Sequence, residues 1–306
     1  MYNYTEWTNN EASRTKLSLA EQGYIDDRFI KWFCGHPLKK APEINRGYFA
    51  RVYSITHSVK RFCSESGGAR AQIINIGSGF DTLFWRLISD STINFARYVD
   101  VDCCEVIDHK IRSILKHDEL AEACGDNVQH DDFKELHSQQ YHCIAYDATK
   151  AIGLTKKLLE DCHIKKSDPI IFIFECILLY WDEDSTANLF CSLNKTFENC
   201  SFVIFDLVNT RDKFSHLMQQ SLIEQQTPLL GAGAFGTIDE WKNHLKQFGC
   251  KFVDCRIMNE VYTSLIPTEE RERIEKLEFF DEIELLAQLF NHYCLVLASN
   301  HFDFKW

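Results

Sequence analysis

The sequence of 306 residues contains no long run of basic side chains. Lys and Arg together number 33, against 45 Asp and Glu, which gives a formal net charge of −12. Nonspecific binding to nucleic acid depends on clustered Lys and Arg that neutralise phosphates. The composition therefore predicts that nucleic acid is not the main partner.

The sequence also lacks a hydrophobic segment long enough to cross a bilayer. Its most apolar run, from Ile170 to Trp181, contains Glu175 and is shorter than the roughly 20 residues that a spanning helix needs. The first 13 residues are polar and lack the apolar centre of a signal peptide. We therefore expect a soluble, cytoplasmic protein without a membrane partner.

No Cys-x-x-Cys pair occurs among the 13 cysteines. Cys103 and Cys104 are adjacent, a spacing that rarely suits a disulfide, and the others are scattered through apolar segments. We interpret them as reduced and mostly buried thiols, as is usual in the cytosol. Because no histidine pair shows metal-ligand spacing near a cysteine or carboxylate, we expect no metal.

Short apolar segments alternate with helical stretches along the chain. Nearly all of the first five are apolar throughout, which is typical of strands covered on both faces. The alternation predicts an α/β fold with a doubly wound, mostly parallel sheet of seven strands. The predicted strands are Gln72–Ile76, Arg97–Val101, His142–Tyr146, Ile170–Phe174, Phe202–Phe205, Lys251–Ile257 and Tyr293–Ala298.

Four helices outside the first half of the sheet have their own signals. Two N-terminal helices are expected at Leu17–Phe33 and Pro42–Cys63. The capping box Thr237-x-x-Glu240 begins a helix over Asp239–Phe248, which Gly249 ends. A long helix starting at Thr268 is predicted from one apolar face formed by Ile274, Leu277, Phe280, Ile283 and Leu286.

The first predicted strand runs into the segment Asn-Ile-Gly-Ser-Gly-Phe-Asp of residues 75–81. Gly77 and Gly79 permit a tight turn and a close approach of the backbone to a ligand, although such a turn also occurs without a ligand. The segment lacks the third glycine of the dinucleotide-binding pattern. It therefore favours a smaller nucleoside ligand over a pyrophosphate.

Acidic residues end the next three strands: Asp102, Asp147 and Glu175. Asp102 is placed to accept both hydroxyls of a ribose, and Asp147 to accept an adenine amino group. Each acid alone is compatible with a solvated loop position, but the three together suit an adenosine that also carries an ammonium. Glu175 lies in an otherwise apolar strand, where an unpaired carboxylate is costly, so we expect it to meet a cation.

Five segments stand out along the chain: residues 40–52 (KAPEINRGYFARV), 75–87 (NIGSGFDTLFWRL), 175–180 (ECILLY), 277–286 (LEFFDEIELL) and 292–294 (HYC). They closely resemble segments of the leucine carboxyl methyltransferases, and the likeness runs from about Lys16 to the end of the chain. Enzymes of that family methylate the C-terminal leucine carboxylate of the catalytic subunit of type 2A protein phosphatases. The resemblance implies a class I S-adenosylmethionine-dependent methyltransferase fold with S-adenosylmethionine as cofactor. It also implies that the phosphatase tail is the substrate. We expect the protein to be a monomer.

The resemblance also implies roles for individual residues. The cofactor-binding residues that it implies are Lys16 and Arg51 near the methionine end, Gly77 in the cofactor loop, Asp102 at the ribose, Asp147 and Ala148 at the adenine, and Glu175 near the amino group. Arg51 is also the catalytic candidate, facing the acceptor carboxylate. Tyr180 is either a substrate-pocket residue or a packing aromatic. Without the resemblance, Arg46 and Arg51 could each be a solvated charge on a helix rather than a site residue. After the fifth strand the vertebrate-type members of the family have Asn-Tyr-Glu-Gln-Val-Asn, whereas residues 204–209 of this chain read Ile-Phe-Asp-Leu-Val-Asn. The chain therefore lacks a hydroxyl at Phe205 and an amide at Leu207.

We find no repeat, linker or strong boundary, so we predict one methyltransferase domain over residues 1–306. Within it, residues 1–67 form an N-terminal helical cover, 68–208 the cofactor-binding half, 209–236 a substrate-side insertion and 237–306 the C-terminal half of the sheet. Ligands of open α/β sheets bind beyond the carboxyl ends of the strands. We therefore expect residues 1–67 and 209–236 to cover the pocket and select the substrate.

Three other functions stay open at this point. A small-molecule O-methyltransferase of the same superfamily is expected to lack the segment at residues 40–52. A related branch methylates a modified tRNA base and carries a propeller domain, for which 306 residues leave no room. A non-catalytic phosphatase-binding protein is expected to have lost Gly77, Asp102 or Glu175, and all three are present.

Overall fold

The computed structural model describes residues 4–65 and 68–302 of the chain, with side chains from Thr8 onward. One sheet of nine strands runs through this part in the order β3-β4-β5-β2-β1-β6-β7-β9-β8. The five strands β5, β2, β1, β6 and β7 are parallel to one another, and antiparallel strands extend the sheet at both ends. The strands are β1 Gln72–Ile76, β2 Arg97–Asp102, β3 Gln129–Asp131, β4 Glu135–His137, β5 Tyr141–Ala145, β6 Ile170–Glu175, β7 Cys200–Leu207, β8 Phe252–Ile257 and β9 Tyr293–Ser299.

All seven strands predicted from the sequence are present, so the predicted α/β class with a mostly parallel, doubly wound sheet is confirmed. The two further strands, β3 and β4, have three residues each and form one edge of the sheet. All three residues of β3 are exposed, so its sequence carries no apolar signal from which a strand can be predicted.

Helices cover both faces of the sheet. They are α1 Tyr4–Glu21, α2 Pro42–Glu65, α3 Leu83–Ile88, α4 Cys104–Lys116, α5 Asp118–Ala123, α6 Ala151–Glu160, α7 Glu183–Thr196, α8 Lys213–Glu224, α9 Ile238–Gln247, α10 Met258–Ser264, α11 Thr268–Glu275 and α12 Ile283–Asn291. Short 3-10 helices lie at Ile30–Trp32, Gly68–Arg70, Leu178–Tyr180 and Leu230–Gly233. The predicted capping box is confirmed, because the hydroxyl of Thr237 accepts the Glu240 N–H at 3.2 Å.

The prediction of a first helix at Leu17–Phe33 is wrong. Helix α1 begins earlier and ends at Glu21, where Gly23 adopts a left-handed backbone with φ of +83°. The N–H of Tyr24 then donates to the Leu19 carbonyl, which is the 6→1 bond of a Schellman motif. The chain returns to helical geometry only for one 3-10 turn at Ile30–Trp32.

The long helix predicted from Thr268 is also wrong, because α11 ends at Glu275 and α12 begins at Ile283. Between them, one carboxylate oxygen of Glu278 accepts bonds from the Tyr24 hydroxyl at 2.7 Å and the Asn45 amide at 2.8 Å. These long-range bonds hold residues 276–282 against the N-terminal region, so α11 and α12 do not join into one helix. The neighbouring Phe280 ring packs under the guanidinium of Arg46, which is buried rather than solvated.

Alternate residues of the central strands face two separate hydrophobic cores. Ile73 belongs to the core formed with α2, α4 and α12, whereas Ile74 belongs to the core formed with α6, α7 and α9. Burial of both faces explains why these strands are apolar throughout. No helix in the described residues has the length and hydropathy needed to cross a membrane. The 13 cysteines are free thiols, as predicted.

Candidate functional site

A cavity of about 1430 Å³ lies at the carboxyl ends of β1, β2, β6 and β7. Helix α1 and the segment from Met218 to Leu230 line its outer part, within the two regions predicted to cover a pocket. Six of the predicted site residues line this cavity together: Lys16, Arg51, Gly77, Asp102, Glu175 and Tyr180. Asp147 and Ala148 are not part of its lining.

The predicted cation next to Glu175 is present, and a second one accompanies it. One carboxylate oxygen of Glu175 lies 2.5 Å from Nε of Arg51 and 2.8 Å from Nζ of Lys16. Burial alone would raise the pKa of Glu175, but Arg51 and Lys16 outweigh burial and lower that pKa to about 2. Glu175 is therefore ionised at neutral pH, and the cluster joins α1 and α2 to the end of β6.

Arg51 lies between two aromatic rings as well as against Glu175. Its guanidinium carbon is 5.3 Å from the centre of the Tyr48 ring and 5.5 Å from that of Phe205. Phe205 is one of the positions at which the chain departs from the vertebrate-type pattern, and its ring keeps an aromatic contact with the guanidinium. These contacts fix the planar guanidinium at the base of the cavity.

The glycine loop after β1 needs both of its glycines. Gly77 and Gly79 have left-handed backbones with φ of +67° and +50°. A Cβ on Gly77 would lie 2.8 Å from the side chain of Ile177, and one on Gly79 would lie 2.4 Å from Oδ1 of Asn9. The same oxygen of Asn9 accepts the Phe80 N–H at 2.9 Å, so α1 closes directly over the loop. Sequence reasoning missed Asn9, which lies in a polar stretch without periodicity.

Asp102 is hydrogen-bonded to this loop. Its Oδ2 accepts the Gly79 N–H at 2.7 Å and its Oδ1 accepts the Cys103 N–H at 2.7 Å. Burial raises the pKa of Asp102, and the two N–H donors oppose that rise. The nearby Asp100 has a different environment, because it is buried against Nζ of Lys110 at 2.7 Å and the Tyr141 hydroxyl at 2.6 Å. Of these two acids, only Asp102 lines the cavity.

Asp147 lies on an exposed turn after β5. Its Oδ1 accepts bonds from the N–H and the hydroxyl of Thr149, and its other oxygen is 3.5 Å from Nζ of Lys150. The preceding residue, Tyr146, donates its N–H to the carbonyl of Asp102, which brings this turn next to the predicted ribose acid. The adenine-side role of Asp147 and Ala148 stays a prediction from the resemblance.

Four further acids line the cavity and were missed from the sequence, namely Glu11, Asp81, Glu105 and Asp206. Asp81 lies 3.7 Å from Nζ of Lys16, so it adds a second carboxylate to that ammonium. Asp206 is buried on β7 and accepts the N–H groups of Leu178 and Leu207, and burial raises its pKa to about 6. An acid within an apolar strand is the signal that singled out Glu175, and it applies equally to Asp206.

Comparison with known proteins places this arrangement in a family. The family model for leucine carboxyl methyltransferase matches residues 7–194. Leucine carboxyl methyltransferase 1 of Caenorhabditis elegans is 34% identical over 95% of this chain and 90% of its own length. The tRNA wybutosine-synthesizing protein 4 of Rattus norvegicus is 30% identical over 95% of this chain, but the match covers 43% of that protein.

Among solved structures, a putative methyltransferase from Thermobifida fusca superposes with a TM-score of 0.57 at 15% identity, over 85% of this chain and 84% of its own. A likeness at this identity concerns the fold, and it confirms the predicted methyltransferase fold. The resemblance inferred from the five sequence segments is confirmed as well. The chain belongs to the leucine carboxyl methyltransferase family, which makes it an S-adenosylmethionine-dependent methyltransferase.

Proposed function

We propose that this protein transfers a methyl group from S-adenosylmethionine to the C-terminal leucine carboxylate of the catalytic subunit of a type 2A protein phosphatase. The observation that carries the proposal is the largely buried cluster of Lys16, Arg51 and the ionised Glu175 in a cavity that also contains the glycine loop and Asp102. Family membership supports the reaction type.

The residues in the cavity fit the parts of the proposed cofactor. Glu175 and Asp81 supply negative charge for its ammonium, and Lys16 and Arg51 supply positive charge for its carboxylate. Asp102 supplies acceptor oxygens for the ribose hydroxyls. Ser78, between the two glycines, has a buried hydroxyl oxygen with no hydrogen-bond partner among the described residues, and it lines the cavity. An unpartnered hydroxyl at this point is consistent with a polar ligand in contact with the loop.

The proposed reaction needs no general base. An acceptor carboxyl with a pKa around 3.5 is ionised at neutral pH, so its oxygen already carries the attacking electron pair. Bound S-adenosylmethionine supplies an electrophilic methyl group: a C–O bond forms, the C–S bond breaks, and its electron pair stays on sulfur. The protein therefore has to align the acceptor oxygen, exclude water and offset the acceptor charge. Arg51 fits this last role, because neighbouring groups raise its pKa and keep it charged.

The outer part of the cavity suits an apolar C-terminal residue. Apolar side chains from α8 and the following loop line it, namely Met218, Leu222, Leu229 and Leu230. We propose that this wall receives the leucine side chain while the carboxylate reaches Arg51. A net charge of −12 disfavours the tRNA substrate of the other matched relatives, because an acidic surface repels a phosphate backbone. We place the reaction in the cytosol, where 13 free thiols persist in reduced form.

Transfer of labelled methyl groups tests the proposal. The purified protein is incubated with methyl-labelled S-adenosylmethionine and the purified phosphatase catalytic subunit, or with the same subunit lacking its last leucine. We expect label only on the intact subunit, and we expect mild alkali to release it as volatile methanol, because the product is an ester. Label on the truncated subunit, or label that survives alkali, contradicts the proposal.

A further inference from the structure

Three potential metal ligands meet at the end of the sheet opposite the cavity. His137 on β4 and His142 on β5 are directly paired across the two strands, and Cys162 follows α6. One ligand atom from each side chain lies within 4.8 Å of the other two. His142 is the second residue of β5, whereas the cavity lies beyond the carboxyl ends of the neighbouring parallel strands. The cluster is therefore separate from the proposed methyl-transfer site.

The hydrogen bonds of the cluster define which ring nitrogen of each histidine carries the proton. Nε2 of His137 lies 3.0 Å from a carboxylate oxygen of Glu135, to which it donates. In a neutral ring, Nδ1 of His137 then carries the lone pair and accepts the N–H at Nδ1 of His142 at 2.9 Å, a hydrogen bond that a bound cation would replace. An imidazole whose outer N–H donates to a carboxylate is the arrangement that orients metal-binding histidines.

His142 supplies a second, independent observation. The residue is 1% exposed, and its Nε2 has no hydrogen-bond partner among the described residues. A buried ring nitrogen without a partner costs free energy unless another group binds it.

The charges around the cluster are mixed. Lys157 contacts both Glu135 and Asp161, which offset its charge, and Arg97 faces His142. Cys162 is buried, and its thiol pKa is raised by burial and by Asp161. A bound cation would displace the thiol proton and place a thiolate among these basic side chains.

We propose that His137, His142 and Cys162 bind one divalent cation of the zinc class, with Glu135 orienting His137 from outside. Two imidazoles and a thiolate are ligands that zinc prefers. The side chain of His137 is 27% exposed, which leaves a route for water as the fourth ligand. The cation would join the short edge strand β4, β5 and the segment after α6, and so stabilise this edge of the sheet.

The test uses the reduced, metal-free full-length protein titrated with Zn²⁺ and, separately, with Co²⁺. We expect one tightly bound equivalent, a thiolate-to-cobalt charge-transfer band in the near ultraviolet, and a thermal midpoint that rises on addition of zinc. Cys162→Ser should remove the band, His137→Gln should abolish the stoichiometric equivalent, and Glu135→Gln should weaken zinc binding by roughly 10- to 100-fold. Methyl-transfer activity of the folded variants should stay at the wild-type level.

Matched controls separate this cluster from the other thiols and imidazoles of the chain. His130→Gln changes an exposed histidine on β3, and Cys124→Ser changes another buried thiol. Both should bind zinc as the wild type does. Cys162 is buried, so the Cys162→Ser variant could fail to fold. In that case the His137→Gln variant, which changes a partly exposed side chain, provides the test. The proposal is overturned if no stoichiometric binding occurs, or if His137→Gln binds zinc as tightly as the control variants.

Discussion

The carboxylate of Glu175 lies 2.5 Å from Nε of Arg51, at the point where the N-terminal helices meet the end of strand β6. Lys16 of α1 reaches the same oxygen, so one buried carboxylate holds both covering helices against the sheet. The cluster that we assign to the cofactor's methionine end thus also supports the architecture of the site. Substitutions here should affect folding stability as well as ligand binding.

Glu175→Gln should therefore destabilise the protein even without a ligand. The amide keeps the shape of the side chain but leaves two buried cations without their main anion, which should lower the free energy of unfolding by about 3 kcal/mol. Urea denaturation of the ligand-free protein measures this change. Asp108→Asn is the matched control, because it removes an exposed ion pair with Arg112 and should cost at most about 1 kcal/mol. Equal effects of the two substitutions would show that the buried cluster contributes no special stability.

Asp102→Ala should weaken binding of S-adenosylmethionine by roughly 1.5–3 kcal/mol, because it removes charged hydrogen bonds to the ribose. Calorimetry on the purified protein measures the affinity directly. Asp126→Ala, at an exposed position, is the control and should bind the cofactor normally. If Asp102→Ala also binds at wild-type strength, the ribose assignment fails. Asp100 is then no substitute, since its carboxylate is buried against Lys110 and Tyr141.

A free peptide that ends in the phosphatase tail sequence should be a far poorer substrate than the whole catalytic subunit. The pocket is covered by α1 and the segment from Met218 to Leu230, so a tail that enters it must be ordered, at a cost that docking contacts of a folded partner offset. The comparison of kcat/KM for peptide and subunit measures this difference. Equal values would mean that the enzyme recognises the tail alone.

The sequence predicted the strands and the acids at their ends because these features are local. An apolar run such as Ile170–Phe174 is typical of a strand covered on both faces, and Glu175 stands out within it. The break between α11 and α12 could not be predicted, because it depends on Glu278 contacting Tyr24 and Asn45 far away in the sequence.

Some residues of the site, and the separate cation cluster, were missed because they too depend on contacts between distant parts of the chain. Asn9 contacts the glycine loop only after α1 folds across the sheet, and nothing in its neighbourhood marks it. The cluster of His137, His142 and Cys162 is formed by a strand pairing and a turn after a helix, so its ligand spacing is not visible along the chain. Asp206 was accessible to the same reasoning as Glu175, because it too is an acid within an apolar strand.

Asp206→Asn should change how stability depends on pH. The pKa of Asp206 is about 6 in the folded protein, against an ordinary value of 3.8, because the carboxyl is buried. The folded state therefore binds the proton more tightly than the unfolded state. As a result, the contribution of Asp206 to the free energy of unfolding falls as pH rises from 3.8 to about 6. Between pH 5 and 7 the free energy of unfolding of the wild type should fall by about 1 kcal/mol relative to that of the variant, because the asparagine side chain does not titrate. Urea unfolding of both proteins across this range checks the sign, and a constant difference would contradict the raised pKa.

Arg51 tests the chemistry most directly. Because the acceptor carboxylate is already ionised and Arg51 stays charged, the single-turnover rate should be nearly independent of pH from about 7 to 8.5, above the titration of Asp206. Arg51→Lys keeps a positive charge but loses the planar guanidinium that lies between Tyr48 and Phe205. Its rate should therefore fall roughly 10- to 100-fold, because the acceptor is misaligned. The rate of Arg51→Ala should fall further. Arg61→Lys, the same change near the end of the same helix and outside the cavity, should react at the wild-type rate. A wild-type rate that rises tenfold per pH unit would reveal an essential base. An Arg51→Lys rate equal to that of Arg61→Lys would exclude the guanidinium from alignment of the acceptor.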